Sequence, residues 1–143
     1  MDKYFTANAV LSIFSKNYMD LKRGLPIRSS EMGALNIITQ TQGPHTPVML
    51  AEMLRVSKPM ITAHITSLEN KGYIVKSPSA DDKRAYYVLP TSKAMALVES
   101  AKEDLNKKLG LLEKGLGENN FKTLIDLAEK VNKIIKLNNG EDL

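Results

Sequence analysis

The chain has 143 residues, of which 43% are hydrophobic and 25% charged, enough apolar content to pack one domain or two small intertwined lobes. It contains no cysteine, which excludes disulfides, a thiol redox sensor and any cysteine-based zinc site. The net charge of +4 is unevenly placed: residues 55–93 carry seven Lys/Arg against three Asp/Glu, whereas 1–54 carry five against four and 94–143 eight against nine. Positive charge gathered in one stretch suits a polyanion such as DNA.

The first predicted helix covers residues 4–21, where Phe5, Ala9, Val10, Ile13, Phe14 and Leu21 recur at helical spacing. Its acids at Asp2 and Asp20, and the lack of a small-residue cleavage site after an apolar core, set it apart from a signal peptide. No apolar run approaches the roughly 18 residues a membrane span needs, so a cytoplasmic protein is expected. Gly24, Pro26 and Arg28-Ser29-Ser30 break the pattern and can start a second helix over about 30–41, with Met32, Leu35 and Ile38 on one face. Gly43-Pro44 ends it. Thr46-Pro47 then reads as a start signal, because the hydroxyl can cap free N–H groups and Pro at the first position loses no hydrogen bond. A short third helix, about 47–54, carries Val48, Leu50, Ala51 and Leu54, and Arg55-Val56-Ser57 makes a three-residue turn.

Ser57 can cap a fourth helix over about 58–71, which Gly72 stops. The periodicity then changes toward two. Residues 73–77 and 85–89 are rich in β-branched and aromatic side chains and read as an antiparallel hairpin, with the polar stretch Pro78–Arg84 at its tip. Thr91 can cap a long fifth helix, about 92–113. Gly115 and Gly117 are expected to interrupt it before a sixth, about 118–137, carrying Phe121, Leu124, Ile125, Leu127, Ala128, Val131, Ile134 and Ile135. The expected fold is mostly α: six helices plus a two-stranded β-wing, with a winged helix-turn-helix DNA-binding region at 29–104 and a helical dimerisation region at 1–28 and 105–143.

Two short helices joined by a tight turn and followed at once by a hairpin form a helix-turn-helix with a wing. On the fourth helix, Ile61, Ile65 and Leu68 share a narrow face. The opposite face holds Pro59, Ala63, Thr66 and Asn70, flanked by Met60, Thr62 and Ser67, with Lys58 the only charge near its start. Short side chains let such a surface approach base edges in a major groove.

These residues resemble the MarR family of regulators over about residues 5–136. The wing carries Asp82-Lys83-Arg84 with Thr91 seven residues after Arg84, similar to the family's Asp-x-Arg wing leading to a Leu-Thr helix start. Leu68-Glu69-Asn70-Lys71-Gly72-Tyr73-Ile74 is similar to its Leu-x-x-Lys-Gly-hydrophobic segment, and Thr46-Pro47-x-x-Leu50-Ala51 precedes it in the right order. The resemblance implies that Arg84 enters a minor groove, whose narrowness concentrates negative potential, and that Asp82 holds Arg84 in place. It implies base and phosphate contacts from Ser57, Lys58, Pro59, Met60, Thr62 and Ala63, and the outer-face positions Thr66, Ser67 and the wing's Lys83 complete the candidate surface. It also implies a homodimer on pseudo-palindromic double-stranded DNA, repression, and release by a small-molecule effector bound between the dimer helices and the DNA-binding lobe. Ala63 departs from several relatives, which carry a long basic residue there, and Pro90 replaces a usual apolar strand residue.

Other features point to packing or solvation. His45 and His64 are the only histidines, too few for a metal site without cysteine, and His64 is expected to pack or hydrogen-bond inside the domain. The methionines read as packing residues. Tyr86 and Tyr87 alternate faces, so one should pack and the other be exposed. No cofactor is implied. No nucleophile, phosphate loop or acid pair outside Asp81-Asp82 in the basic stretch between the predicted strands supports an enzyme. The rival readings are a winged-helix protein-interaction module without DNA binding, which the basic 55–93 stretch opposes, and a small enzyme.

Overall fold

The computed structural model describes residues 2–22, 24–79 and 85–138. Among these, six helices and one two-stranded sheet follow in chain order: α1 (Lys3–Leu21), α2 (Ser29–Gln40), α3 (Pro47–Leu54), α4 (Lys58–Asn70), β1 (Ile74–Pro78), β2 (Tyr86–Pro90), α5 (Ser92–Leu116) and α6 (Glu118–Asn138). The chain divides into two compact units at Glu103/Asp104.

The helix starts are set by the side chains that the sequence supplies at the caps. Asp2 accepts from the Tyr4 N–H at 2.7 Å, Thr46 from the Met49 N–H at 3.2 Å and Ser57 from the Met60 N–H at 3.2 Å. Each bond satisfies one of the free donors that every helix start exposes. Pro47 and Pro59 occupy first-turn positions, where no helical N–H is lost.

The core of the first unit is built where α2, α3, α4 and the hairpin meet. Leu35, Leu50, Ile61, Ile65, Leu68, Ile74 and Val88 are all essentially inaccessible, and Ala94 and Val98 of α5 close the same cluster. The expected inner face of α4 is therefore the observed one. The strands lie one residue later than the sequence suggests, because Tyr73 and Ala85 fall outside the ladder. Ile74 pairs with Pro90, Val75 with Leu89 and Lys76 with Val88, antiparallel throughout. Pro90 ends β2, a place where a missing donor does little harm. His45 adds a further bridge: its carbonyl accepts from the Val88 N–H at 2.8 Å, which joins the α2–α3 connection to the wing.

Tyr86 packs against the core while Tyr87 is also half-buried, so the expected division into one packed and one exposed tyrosine does not hold. The Lys76 ammonium sits 4.9 Å from the Tyr86 ring centre and holds it from outside.

The helix α5 runs further than the glycine pattern suggests. Gly110 and Gly115 lie inside it, and only Gly117, at φ +88°, breaks the helix. A helical glycine weakens a helix by about 1 kcal/mol relative to alanine, too little to stop one that continues on both sides. In the second unit Gly117 donates to the Glu113 carbonyl at 2.8 Å and its own carbonyl accepts from Phe121 at 3.0 Å, so the turn closes one helix and opens the next.

The helix α1 buries none of its residues, and the large apolar side chains of α6 also remain open: Phe5 is 65% exposed and Ile134 57%. No helix among the described residues is long and apolar enough to cross a membrane.

Candidate nucleic-acid interface

The helices α3 and α4 pack on each other through the turn at residues 55–57. The turn is a Schellman motif: the Val56 N–H donates to the Ala51 carbonyl at 3.1 Å and the Arg55 N–H to the Glu52 carbonyl at 3.3 Å. Ala51 and Val56, which flank this motif, both pack against the edge of the core. It fixes the angle at which α4 leaves α3.

With Ile61, Ile65 and Leu68 turned inward, the outer side of α4 follows by geometry. Lys58, Pro59, Met60, Thr62, Ala63 and Thr66 are exposed, and Ser57 is exposed at the cap. The Thr62 hydroxyl donates to the Lys58 carbonyl at 2.9 Å and is thereby oriented. These predicted site residues lie together on one surface. Ser67 departs from them. It is half-buried rather than exposed and lies beside the Glu31 carboxylate. Asp82, Lys83 and Arg84, the predicted wing contacts, lie outside the described residues, as does Asp81.

Glu31 is the residue that sequence reasoning missed. It is 2% exposed at the first turn of α2. Its carboxylate accepts from the Arg28 N–H at 3.2 Å and from the Lys71 ammonium at 3.2 and 3.4 Å. Burial pushes its pKa up, but the Ser67 hydroxyl, the Arg28 N–H and the Lys71 ammonium together outweigh that and hold it below the usual carboxylate range. The start of α2 is thus tied to the end of α4 by a charge with several donors. The only local cue was a Glu three residues into a helix, which is ambiguous, since the same placement serves an exposed capping carboxylate.

A stability prediction follows from the direction of this shift. A carboxyl whose folded pKa is depressed stabilises the fold above its unfolded value, about 4.3 for glutamate, and loses that contribution as pH falls through the folded value. Thermal midpoints measured from pH 6 downward should therefore fall more steeply for the parent chain than for Glu31→Gln below about pH 5. Glu31→Gln should also begin lower at neutral pH. Parallel curves would show that Glu31 contributes no such charge-dependent stability.

Beside this pair, α2 and α4 border a cleft of about 650 Å³ whose lining includes Arg28, Glu31, Met60, His64, Ser67 and Lys71. His64 is packed as expected, but its Nε2 is buried with no hydrogen-bond partner. His45, buried at the other side of the unit, is satisfied by the Thr41 hydroxyl at 2.7 Å. Among the described residues, no group of three His, Asp or Glu is placed to hold a metal.

The end of α4 is tied to the start of α5. The Thr91 hydroxyl donates to the Gly72 carbonyl at 2.7 Å and accepts from the Ala94 N–H at 3.3 Å. The Lys93 ammonium donates to the Lys71 carbonyl at 2.6 Å and lies 4.6 Å from the Tyr73 ring centre. Thr91 therefore does more than cap a helix: it also closes the base of the wing.

Comparison with known proteins agrees with this architecture. The model of the MarR family matches residues 29–86, from α2 to the start of β2. Residues 29–86, fewer than half of the chain, are thus similar to the MarR family. The HTH-type transcriptional regulator FarR of Neisseria gonorrhoeae is 29% identical over 85 residues, which is 59% of this chain and 58% of that relative. The match therefore spans a little over half the length of the curated relative. Among solved structures, FabT of Streptococcus pneumoniae in complex with DNA has a TM-score of 0.80 at 20% identity, covering 94% of this chain and 98% of that one. The reduced form of MarR from E. coli has a TM-score of 0.64 at 28% identity, covering 73% and 77%. The MarR fold thus extends over almost the whole chain, well beyond the residues that the family model matches.

Proposed function

We propose that this chain is a sequence-specific DNA-binding transcriptional regulator of the MarR family, a repressor that binds pseudo-palindromic operators as a homodimer. The observation that carries this reading is α4, which buries three aliphatic residues on one side and presents short, mostly uncharged residues on the other. That helix lies within the basic 55–93 segment of the sequence, whose charge suits a phosphate backbone. We assign the base-proximal role to Pro59, Met60, Thr62, Ala63 and Thr66, backbone contacts to Ser57 and Lys58, and groove entry to the wing's Arg84, with Lys83 beside it and Asp82 orienting it. FabT was solved with DNA and a MepR variant from S. aureus with an oligodeoxyribonucleotide, which supports the same partner here.

Dimerisation is assigned to residues 1–28 and 105–143, and DNA binding to 29–104. The support is the apolar surface of α1 and α6, since contiguous exposed patches of this kind usually mark an interface. A two-fold dimer would present two copies of α4 to successive major grooves. Release by a small-molecule effector belongs to the same proposal, and the cleft lined in part by Met60, His64 and Ser67 supports it as a concave surface that such a ligand could occupy. A regulator of this kind acts in the cytoplasm and needs neither metal nor catalytic group.

The test pairs two measurements on the full chain. Sedimentation at micromolar concentration should give a dimer. Titration of random-sequence duplex at low salt should give binding that weakens steeply with salt. A folded monomer at those concentrations would remove the dimer. Absence of binding at low salt would favour the rival reading of a winged-helix protein-interaction module.

A further inference from the structure

Positive φ recurs in the chain after several of its helices, and at one of these positions the residue is not glycine. Among the described residues four positions take positive φ: Gly24, Gly72 and Gly117 follow α1, α4 and α5, and Arg55 follows α3. At φ +55° Arg55 stands where a Cβ crowds the following carbonyl and glycine is favoured. The Schellman bonds to Ala51 and Glu52 impose this backbone shape whatever the side chain. The comparison lies within the molecule itself: the turn after α4 is closed by the same bond pattern, Tyr73 N–H to the Leu68 carbonyl and Gly72 N–H to the Glu69 carbonyl, and there the chain uses glycine.

The Arg55 side chain does nothing for the fold to offset the strain. It is exposed and makes no hydrogen bond or ion pair among the described residues. The contacts that hold the turn come from its backbone and from Ala51 and Val56. A strained residue with no internal partner points outward for its use. Arg55 stands two residues before Ser57, at most about 7 Å of backbone from the start of α4. Lys58 follows at the first helical position, so two cations flank the cap with no acid between them.

We propose that Arg55 is a DNA-backbone contact, a guanidinium held by the α3–α4 turn against a phosphate at the edge of the groove that α4 enters. This rests on the proposed function. The strained left-handed backbone presents the side chain from a turn fixed at both ends, and the planar guanidinium can meet two phosphate oxygens at once. The contact sets the depth and register of α4 and reads no base.

The experiment uses Arg55→Gly, Arg55→Ala and Arg55→Lys in the full chain, with duplex affinity measured across salt concentrations and thermal melts in parallel. Arg55→Gly is expected to melt about 2–4 °C higher than the parent and yet to bind duplex about 3–10-fold more weakly, with the logarithmic salt slope reduced by about one. Arg55→Ala should lose the same affinity without the gain in melting temperature. Arg55→Lys should keep the salt slope and recover part of the affinity. Arg55→Gly binding as tightly as the parent, with the same slope, overturns the proposal while leaving the proposed function intact. A parent chain that binds no duplex at low salt overturns both.

Discussion

Leu68→Ala is expected to destabilise the folded chain by about 3–4 kcal/mol, within the range for leucines fully enclosed in a core. Leu68 is 0% exposed, and it lies on the one helix whose two sides carry different tasks. Truncation removes buried methyl groups and leaves a cavity among Leu35, Ile65 and their neighbours, which helix packing can close only in part. Denaturant unfolding at fixed protein concentration measures the effect, since association would otherwise shift the midpoint. A loss below about 1 kcal/mol would mean that the core does not hold α4 as described. At temperatures where the variant remains folded, its duplex affinity should fall by less than that of a surface variant on α4, because the outer side chains are untouched.

Arg84→Ala is expected to weaken operator binding by about 1–3 kcal/mol while leaving the melting temperature unchanged. The expectation comes from its position in the wing sequence, Asp82-Lys83-Arg84 between two strands, and from the attraction of a narrow groove for a guanidinium. Asp82→Ala should lose less, since the carboxylate orients Arg84 and would itself repel phosphate. Lys58→Ala should weaken binding to all sequences alike and reduce the salt slope, the signature of a backbone contact. Operator affinity against salt for each folded variant is the measurement. Unchanged affinity for Arg84→Ala would remove the wing from DNA recognition.

Most of the fold was legible because its signals are local. Thr46-Pro47, Ser57 and Gly72 mark helix ends through bonds to residues a few positions away, and the structure uses each of them so. Ile61, Ile65 and Leu68 declare an inner face by spacing alone. What was not legible depends on partners far along the chain. Glu31 looks like any acid in a first turn, and only the approach of Lys71, forty residues later, makes it a buried anchor. Thr91 reads as a cap, but its bond to the Gly72 carbonyl spans nineteen residues. Gly115 misled because a residue's tendency to end a helix is weak beside the packing and continuity that keep the helix going. Arg55 was hidden for the opposite reason: its backbone conformation is one that its residue type disfavours.

The fastening between α4 and α5 has a kinetic meaning. The Lys71 and Gly72 carbonyls are both claimed by the first turn of α5, and the Thr91 N–H in turn donates to the Tyr73 carbonyl at 3.1 Å. Fraying of the last turn of α4 thus requires the first turn of α5 to release. The amides of Tyr73, Thr91 and Ala94 belong to a single opening unit and should exchange with deuterium at one common free energy. Whatever steadies the start of the long helix also slows the breathing of the segment proposed to read DNA, and it does so without changing any side chain on the outer face of α4.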